Sequence, residues 1–171
     1  NDTVKGCGRI DFKVLKGLNF GGSGCTNGGD TAAHLGQSRI GGHARFNGGG
    51  SFPLVAEAEY VYAKDSRVAQ PELRRDGFYV SALYTFLNAL QVGVRYDSYT
   101  TDLNAQNGEN GVARKDSQIN TWTFGVHWLP LGHDKYKNVS LKADWFSVQQ
   151  DNRMVNGTLS DSYNQFVLAA Q

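Results

Sequence analysis

The chain has 171 residues, of which 40% are hydrophobic and 19% are charged, and its formal net charge at pH 7 is +1. This balance excludes the charge runs expected of a nucleic-acid-binding protein, so no nucleic-acid partner is expected. No stretch approaches the roughly 18 consecutive apolar residues of a membrane-spanning helix. The 21 glycines, 12% aromatic residues and three prolines favour strands joined by turns, which predicts an all-β fold.

Apolar and polar residues alternate with a period of two in about eight segments, each close to the ~9–11 residues that a tilted strand needs to cross a bilayer. Successive side chains of a strand point to opposite faces, so each segment has one apolar and one polar face. The alternation predicts a single domain over residues 1–171, an antiparallel up-and-down transmembrane β-barrel. In chain order the segments cover residues 9–20, 39–46, 54–62, 78–86, 90–98, 120–128, 138–145 and 165–171.

The polar faces of these segments carry charged and histidine side chains. In a barrel whose outer face contacts lipid, this face would line the interior. The predicted lumen-facing residues are Arg9, Asp11, Lys13, Arg39, His43, Arg45, Glu57, Glu59, Arg95, Asp97, His127, Lys142 and Asp144.

Connections between the segments alternate in length. The long ones lie near residues 21–33, 65–76, 101–116 and 150–160, and the short ones at 47–53, 87–89 and 131–137. Outer-membrane barrels have long extracellular loops and short periplasmic turns, so this alternation predicts the orientation of the chain and places both termini in the periplasm.

Aromatic residues of the apolar faces collect near both ends of the segments once this orientation is assumed. Amphipathic rings are expected at membrane-water boundaries. The predicted membrane-girdle residues are Phe46, Tyr60, Tyr62, Phe78, Phe86, Tyr96, Trp122, Trp128 and Trp145. A soluble β-sandwich or lipocalin-like barrel would also alternate, but it would point its apolar face inward and would not require two aromatic girdles.

Several segments resemble the carboxy-terminal half of phosphate-selective O/P-type porins. The resemblance spans residues 52–171 and rests on LVAEAEYVYA, DGFYVSALYTF, LQVGVRYDSY, NTWTFGVHWLP, NVSLKADW and NQFVLAAQ. It implies a Gram-negative bacterial outer-membrane porin, a homotrimer of barrels with about sixteen strands each, in contact with outer-membrane lipid. Small solutes or ions would diffuse passively through a charged, water-filled lumen, and this chain would supply about half a barrel.

Two features depart from that family. The chain stops at Gln171 where such barrels end in an aromatic residue, so a few further residues are expected. Acidic residues accompany the arginines on the polar face, so anion selectivity is not expected. Alternatively, about eight strands could close alone around a solid core of paired charges, which would make the protein a membrane anchor or a surface protein that presents loops.

No histidine has a serine or carboxylate at the spacing of a catalytic triad, so we expect no enzyme, no cofactor and no metal site. Cys7 and Cys25 are the only two cysteines, and an oxidising periplasmic route favours a disulfide between them. If residues 9–20 formed one spanning strand, however, the two sulfurs would start near opposite faces of the membrane. Either the first strand is shorter, or its loop folds into the lumen, or both thiols are free.

Overall fold

The protein folds as a single antiparallel sheet. The computed structural model describes residues 5–31, 34–49, 52–67, 72–86, 89–101, 116–128, 141–154 and 157–170, and within these ranges there is no helix. Nine strands pair in sequence order, which confirms the predicted all-β, up-and-down arrangement. The strands are β1 (Lys5–Leu15), β2 (Leu18–Thr31), β3 (His34–Asn47), β4 (Leu54–Arg67), β5 (Leu73–Phe86), β6 (Leu90–Thr100), β7 (Asp116–Trp128), β8 (Leu141–Met154) and β9 (Gly157–Ala170).

The strand count of about eight was wrong because the predicted first segment is a hairpin. Residues Lys16 and Gly17 turn the chain between β1 and β2. Gly17 has a φ of 86°, in the left-handed region that glycine tolerates, and a side chain there would collide with the backbone oxygen of Asn47. The Asn47 N–H donates to the Gly17 carbonyl at 2.7 Å, so the turn also packs against the end of β3.

Two of the predicted long loops are wrong. Residues 21–31 belong to β2, and most of 150–160 belongs to β8 and β9, which are separated only by residues 155–156. The physical reason is that backbone pairing needs no apolar alternation: β2 is rich in glycine, and the sequences at the end of β8 and the start of β9 are mostly polar. These strands therefore continue beyond their apolar segments.

The other connections fall close to their predicted positions. The predicted loop near 65–76 shortens because β4 continues to Arg67 and β5 starts at Leu73, and the turns at 47–53 and 87–89 lie between strands. Residues 102–115 and the predicted turn at 131–137 lie outside the described residues.

The sheet has two ends and two edges. We call the end where β1 meets β2 the Gly17 end and the opposite one the Thr100 end. Because the number of strands is odd, Lys5 lies at the Thr100 end and Ala170 at the Gly17 end, so the prediction that both termini share one end was wrong. The sheet is open in the described part of the chain, since β1 pairs only with β2 and β9 only with β8.

Apart from shifts near the ends of β1, β2 and β3, one register sorts the side chains onto two faces. Directly opposed residues of antiparallel strands share a face, so Asp11, Gly21, His43, Glu59 and Tyr79 form one row. We call the face of this row the polar face. The opposite, apolar face carries the rows that include Ile10, Phe12, Val80, Ala82, Val94, Phe124 and Val126.

The apolar face is not covered. Val80 is 51% exposed and Phe124 is 46% exposed. Leu73 and Val148 are the only buried hydrophobic residues among those described, and no described side chain is fully buried. The described part of the chain therefore has no hydrophobic core of the kind that stabilises a water-soluble domain.

A disulfide joins β1 to β2. Cys7 and Cys25 are directly opposed on the polar face, with their Cα atoms 4.1 Å apart, and their sulfurs are bonded. A single strand over residues 9–20 would have placed the two sulfurs near opposite faces of the membrane. The hairpin at Gly17 reverses the chain, so that Cys25 on β2 lies opposite Cys7 on β1. The first of the three alternatives, a shorter first strand, is the one that the structure has.

We predict that thiol labelling of the unreduced, denatured protein gives no adduct. Replacing both cysteines by serine should lower the free energy of unfolding by about 3 kcal/mol, because the bond restrains a loop of 18 residues in the unfolded chain. Mass spectrometry after labelling and urea unfolding in detergent would check this. Two labelled thiols in the untreated protein would contradict the assignment.

Candidate functional site

The polar face is the concave side of the sheet. Cavities of about 690, 570 and 270 Å³ open on it, and each is lined mainly by polar-face side chains. Every predicted lumen-facing residue lies on this face. The candidate site is therefore a concave, water-accessible wall with charged side chains.

A cluster of three side chains spans β1 to β3. Asp11 accepts hydrogen bonds from Arg9 at 2.9 and 3.1 Å, and the His43 Nε2 atom lies 2.8 Å from an Asp11 oxygen. Asp11 and His43 meet above Gly21 of the intervening strand, where a Cβ atom would collide with both side chains. Glycine at this position lets a carboxylate on β1 reach an imidazole two strands away.

Contacts continue across β3, β4 and β5. The Arg45 guanidinium lies 3.1 Å from a Glu57 oxygen, and these residues are directly opposed. In the neighbouring row Glu59 is directly opposed to His43 on one side and to Tyr79 on the other. The acidic residues of β4 thus lie beside polar side chains of the adjacent strands.

Arg95 extends the contacts to β6. Its guanidinium carbon lies 4.0 Å from the centre of the Tyr79 ring, a cation-π contact, and its Nε atom donates to Asp97 at 2.9 Å. The polar contacts therefore run from β1 to β6. Because cations and carboxylates alternate and pair along this wall, its local charges largely cancel.

A smaller group occupies the polar face of β6 to β8. The His127 Nδ1 atom lies 3.0 Å from the Gln91 amide oxygen, and the Gln91 amide nitrogen donates to Thr85 at 3.2 Å. A Cβ at Gly125 would press on an Asp144 oxygen at 2.5 Å, so this carboxylate also lies over a glycine. Lys142 lines the same cavity as Asp144.

On the apolar face, rings form a continuous band, which we call the aromatic belt. Ring centres are 5.8 Å apart between Phe78 and Tyr96, 4.7 Å between Tyr96 and Trp122, and 5.4 Å between Phe124 and Trp145. Trp122 and Phe124 stack at 6.1 Å. The belt consists of Tyr60, Phe78, Tyr96, Trp122, Phe124 and Trp145.

The aromatic belt separates apolar from polar residues on its own face. The Tyr60 hydroxyl donates to Asp76 at 3.4 Å and the Tyr96 hydroxyl to Asn120 at 3.1 Å, and both acceptors lie nearer the Thr100 end than the rings. Beyond the belt in that direction the same face of β5 to β8 is polar, with Asp76, Ser98, Thr100, Gln118, Asn120, Ser147 and Gln149. The tyrosines thus have apolar surroundings on one side and polar surroundings on the other.

A second group of rings lies toward the Gly17 end. Tyr84 and Phe86 are 4.5 Å apart, and Phe52 lies 6.4 Å from Tyr84. Phe46 and Trp128 occupy the same end of the apolar face, on β3 and β7. All of the predicted girdle residues are on the apolar face, and the assignment of that face to a membrane stays a prediction.

A cluster of ion pairs lies at the Thr100 end of β4 and β5. Glu72 binds the Lys64 ammonium at 2.6 Å and the Arg74 guanidinium at 2.7 Å. These two cations, with Lys64 contributing most, hold the pKa of the Glu72 carboxyl below its usual value. The cluster joins the end of one strand to the start of the next.

Some residues of these surfaces were not predicted from the sequence. Tyr79 and Tyr99 lie on the polar face beside Arg95 and Asp97, and their position in the alternation could have revealed them. Phe124 belongs to the aromatic belt although only its neighbours were predicted as girdle residues. The contact of Asp11 with His43 has no signal in the sequence, because it depends on the register of two strand pairs.

No group of three or more potential metal ligands occurs among the described residues. In the same part of the chain there is no helix long and apolar enough to cross a membrane. Comparison of the chain with protein-family models, with curated proteins and with solved structures gives no match.

We predict that Gly21→Ala uncouples Asp11 from His43, because the added methyl group occupies the space in which they meet. Double-mutant cycles with Asp11→Asn and His43→Gln, measured by urea unfolding in detergent, give the coupling free energy between the two side chains. We expect a measurable coupling in the natural protein and none in the Gly21→Ala variant. Gly22→Ala is the matched control, since a Cβ there makes only ordinary contact at 3.5 Å on the other face. Unchanged coupling beside Gly21→Ala would refute this geometry.

Proposed function

We propose that this chain forms part of the wall of an outer-membrane porin, through which small solutes or ions diffuse passively. The single observation that carries the proposal is the distribution of side chains over the two faces of the sheet. The convex face is apolar, exposed and bordered by aromatic rings, and the concave face is charged. A transmembrane barrel needs this arrangement, whereas a soluble barrel or sandwich needs the reverse.

The exposure of the apolar face supports lipid as its surroundings. Contiguous exposed apolar surface of this extent is unfavourable in water, and in a bilayer it costs nothing. All backbone groups of a spanning segment must also be paired, and an antiparallel barrel wall satisfies that requirement between strands.

The separation of the two aromatic groups supports the same surroundings. On β5, Phe78 of the aromatic belt and Phe86 of the second group are eight residues apart. At ~3.3 Å per residue this is about 26 Å along the strand, or about 20 Å of height for a strand tilted by roughly 40°. The apolar band of an outer-membrane barrel is ~25 Å tall.

The course of the aromatic belt fits tilted strands. Phe78 on β5 is opposed to Ser98 and not to Tyr96. Between β5 and β6 the belt therefore shifts by two residues toward the Gly17 end. Trp122 on β7 is opposed to Ser147. From Trp122 to Trp145 on β8 the belt therefore shifts by two residues in the same direction. Strands of a barrel tilt and stagger, so a belt that is level with the membrane has to shift in this way from strand to strand.

We place the Thr100 end at the extracellular surface and the Gly17 end in the periplasm, as predicted from the sequence. Both belt hydroxyls point toward the Thr100 end, as expected of tyrosines at a membrane boundary.

The mechanism needs no chemical step. Charged side chains keep the lumen hydrated, and the pore width limits the size of the solute. Because the cations and carboxylates from β1 to β6 pair with one another, the wall would exert little net attraction on either sign of ion.

A small closed barrel that serves as an anchor is the less favoured candidate. β1 and β9 run in the same direction and do not pair, whereas up-and-down closure by antiparallel pairing needs an even number of strands. This observation favours completion of the wall by further strands over closure of these nine alone.

Single-channel recording in a planar bilayer tests the proposal. We expect stepwise, open-state currents from the purified full-length protein, with its intact mass measured on the same sample. Glu57→Lys should shift the reversal potential in a salt gradient toward anion selectivity, because it leaves two cations where one ion pair stood. The matched control Ser162→Lys, on the other face beyond the aromatic belt, should not shift it. A protein that inserts into the bilayer without conducting would overturn the proposal and favour the anchor.

A further inference from the structure

We propose that the polar face holds a saccharide-stacking site centred on Tyr99, so that the solutes of the pore include pyranose sugars. This inference rests on the proposed pore and goes further, because it names a class of solute and the residue that binds it.

The position of the Tyr99 ring carries the inference. Tyr99 is directly opposed to Gly77, and a Cβ on Gly77 would lie 3.2 Å from the ring carbon Cδ2. The ring therefore lies against the strand in the space left by a missing side chain. Tyr99 is nevertheless 41% exposed, and it lines the cavity of about 690 Å³. One side of the ring is supported, and another side is open to the cavity.

Polar groups surround this ring. Asp97, two residues away on the same strand, presents its carboxylate and is held by Arg95. Arg75 lines the same cavity and has neither an ion-pair nor a hydrogen-bond partner among the described residues. A hydrogen-bond acceptor and a hydrogen-bond donor thus flank an aromatic surface.

This combination suits a pyranose. The face of an aromatic ring carries partial negative charge and attracts the weakly positive C–H groups of a sugar face. The hydroxyl groups at the edge of the sugar can then bond to a carboxylate and a guanidinium. An ion would use only the charged groups and would leave the ring without a role.

Tyr99 differs from the other tyrosines of the polar face. The ring of Tyr79 is covered by the Arg95 guanidinium. Tyr163 is 56% exposed on β9 and does not line the cavity. Tyr163 is therefore a matched control that has the same side chain on the same face without the site.

Saturation-transfer NMR on the detergent-solubilised full-length protein tests the site independently of conduction. Maltotriose is the probe, and sorbitol, which has hydroxyl groups but no ring, is the control ligand. We expect saturation transfer to the maltotriose ring protons and none to sorbitol. Tyr99→Ala should weaken maltotriose binding at least tenfold, while Tyr99→Phe and Tyr163→Ala should preserve it.

Absence of transfer to maltotriose, equal transfer to sorbitol, or unchanged binding by Tyr99→Ala would overturn the inference. Circular dichroism and heat modifiability of Tyr99→Ala show whether the variant is folded, and Tyr99→Phe keeps the test valid if it is not. Recording channel currents with and without maltotriose separates the two proposals. Sugar binding without conduction would remove the pore and keep the site, and conduction without sugar binding would do the opposite.

Discussion

The antiparallel register of the sheet is the constraint on which the rest of the structure depends. Side chains alternate with a period of two along each strand, so a slip of one residue between any two strands would exchange the faces of everything beyond it. The paired rows carry the division into polar and apolar faces from β1 to β9, and within the described pairs the register shifts only near the ends of β1, β2 and β3. The contacts on both faces, ring with ring and cation with carboxylate, are consequences of this register.

Glycine residues make the side-chain packing of the two faces different. On the polar face Gly21, Gly77 and Gly125 leave spaces that side chains of neighbouring strands enter, so that Asp11 meets His43, and Tyr99 and Asp144 lie over the sheet. The apolar face has its rings and branched side chains standing exposed. The polar face thus gains contacts that cross strands.

Alternation predicted the faces well and the strand ends poorly. Residues such as Arg45, Glu57 and Trp122 lie on the faces expected of them, because the period of two depends only on local strand geometry. Strand β2 was missed because Gly21, Gly22 and Gly24 provide no side chains that could alternate. The end of β8 and the start of β9 were taken for a loop because their sequences are mostly polar and do not alternate. Contacts across an intervening strand, such as that of Asp11 with His43, need the three-dimensional register and have no signature in the sequence.

We propose above all that the apolar face contacts lipid while the polar face contacts water. Nitroxide labels placed in turn at Ser81, Ala82, Val94 and Arg95, in protein reconstituted into lipid vesicles, test it most directly. We expect labels at Ala82 and Val94 to be relaxed by oxygen, which concentrates in the bilayer, and labels at Ser81 and Arg95 to be relaxed by a water-soluble nickel complex. Relaxation of all four labels by the nickel complex would contradict the account.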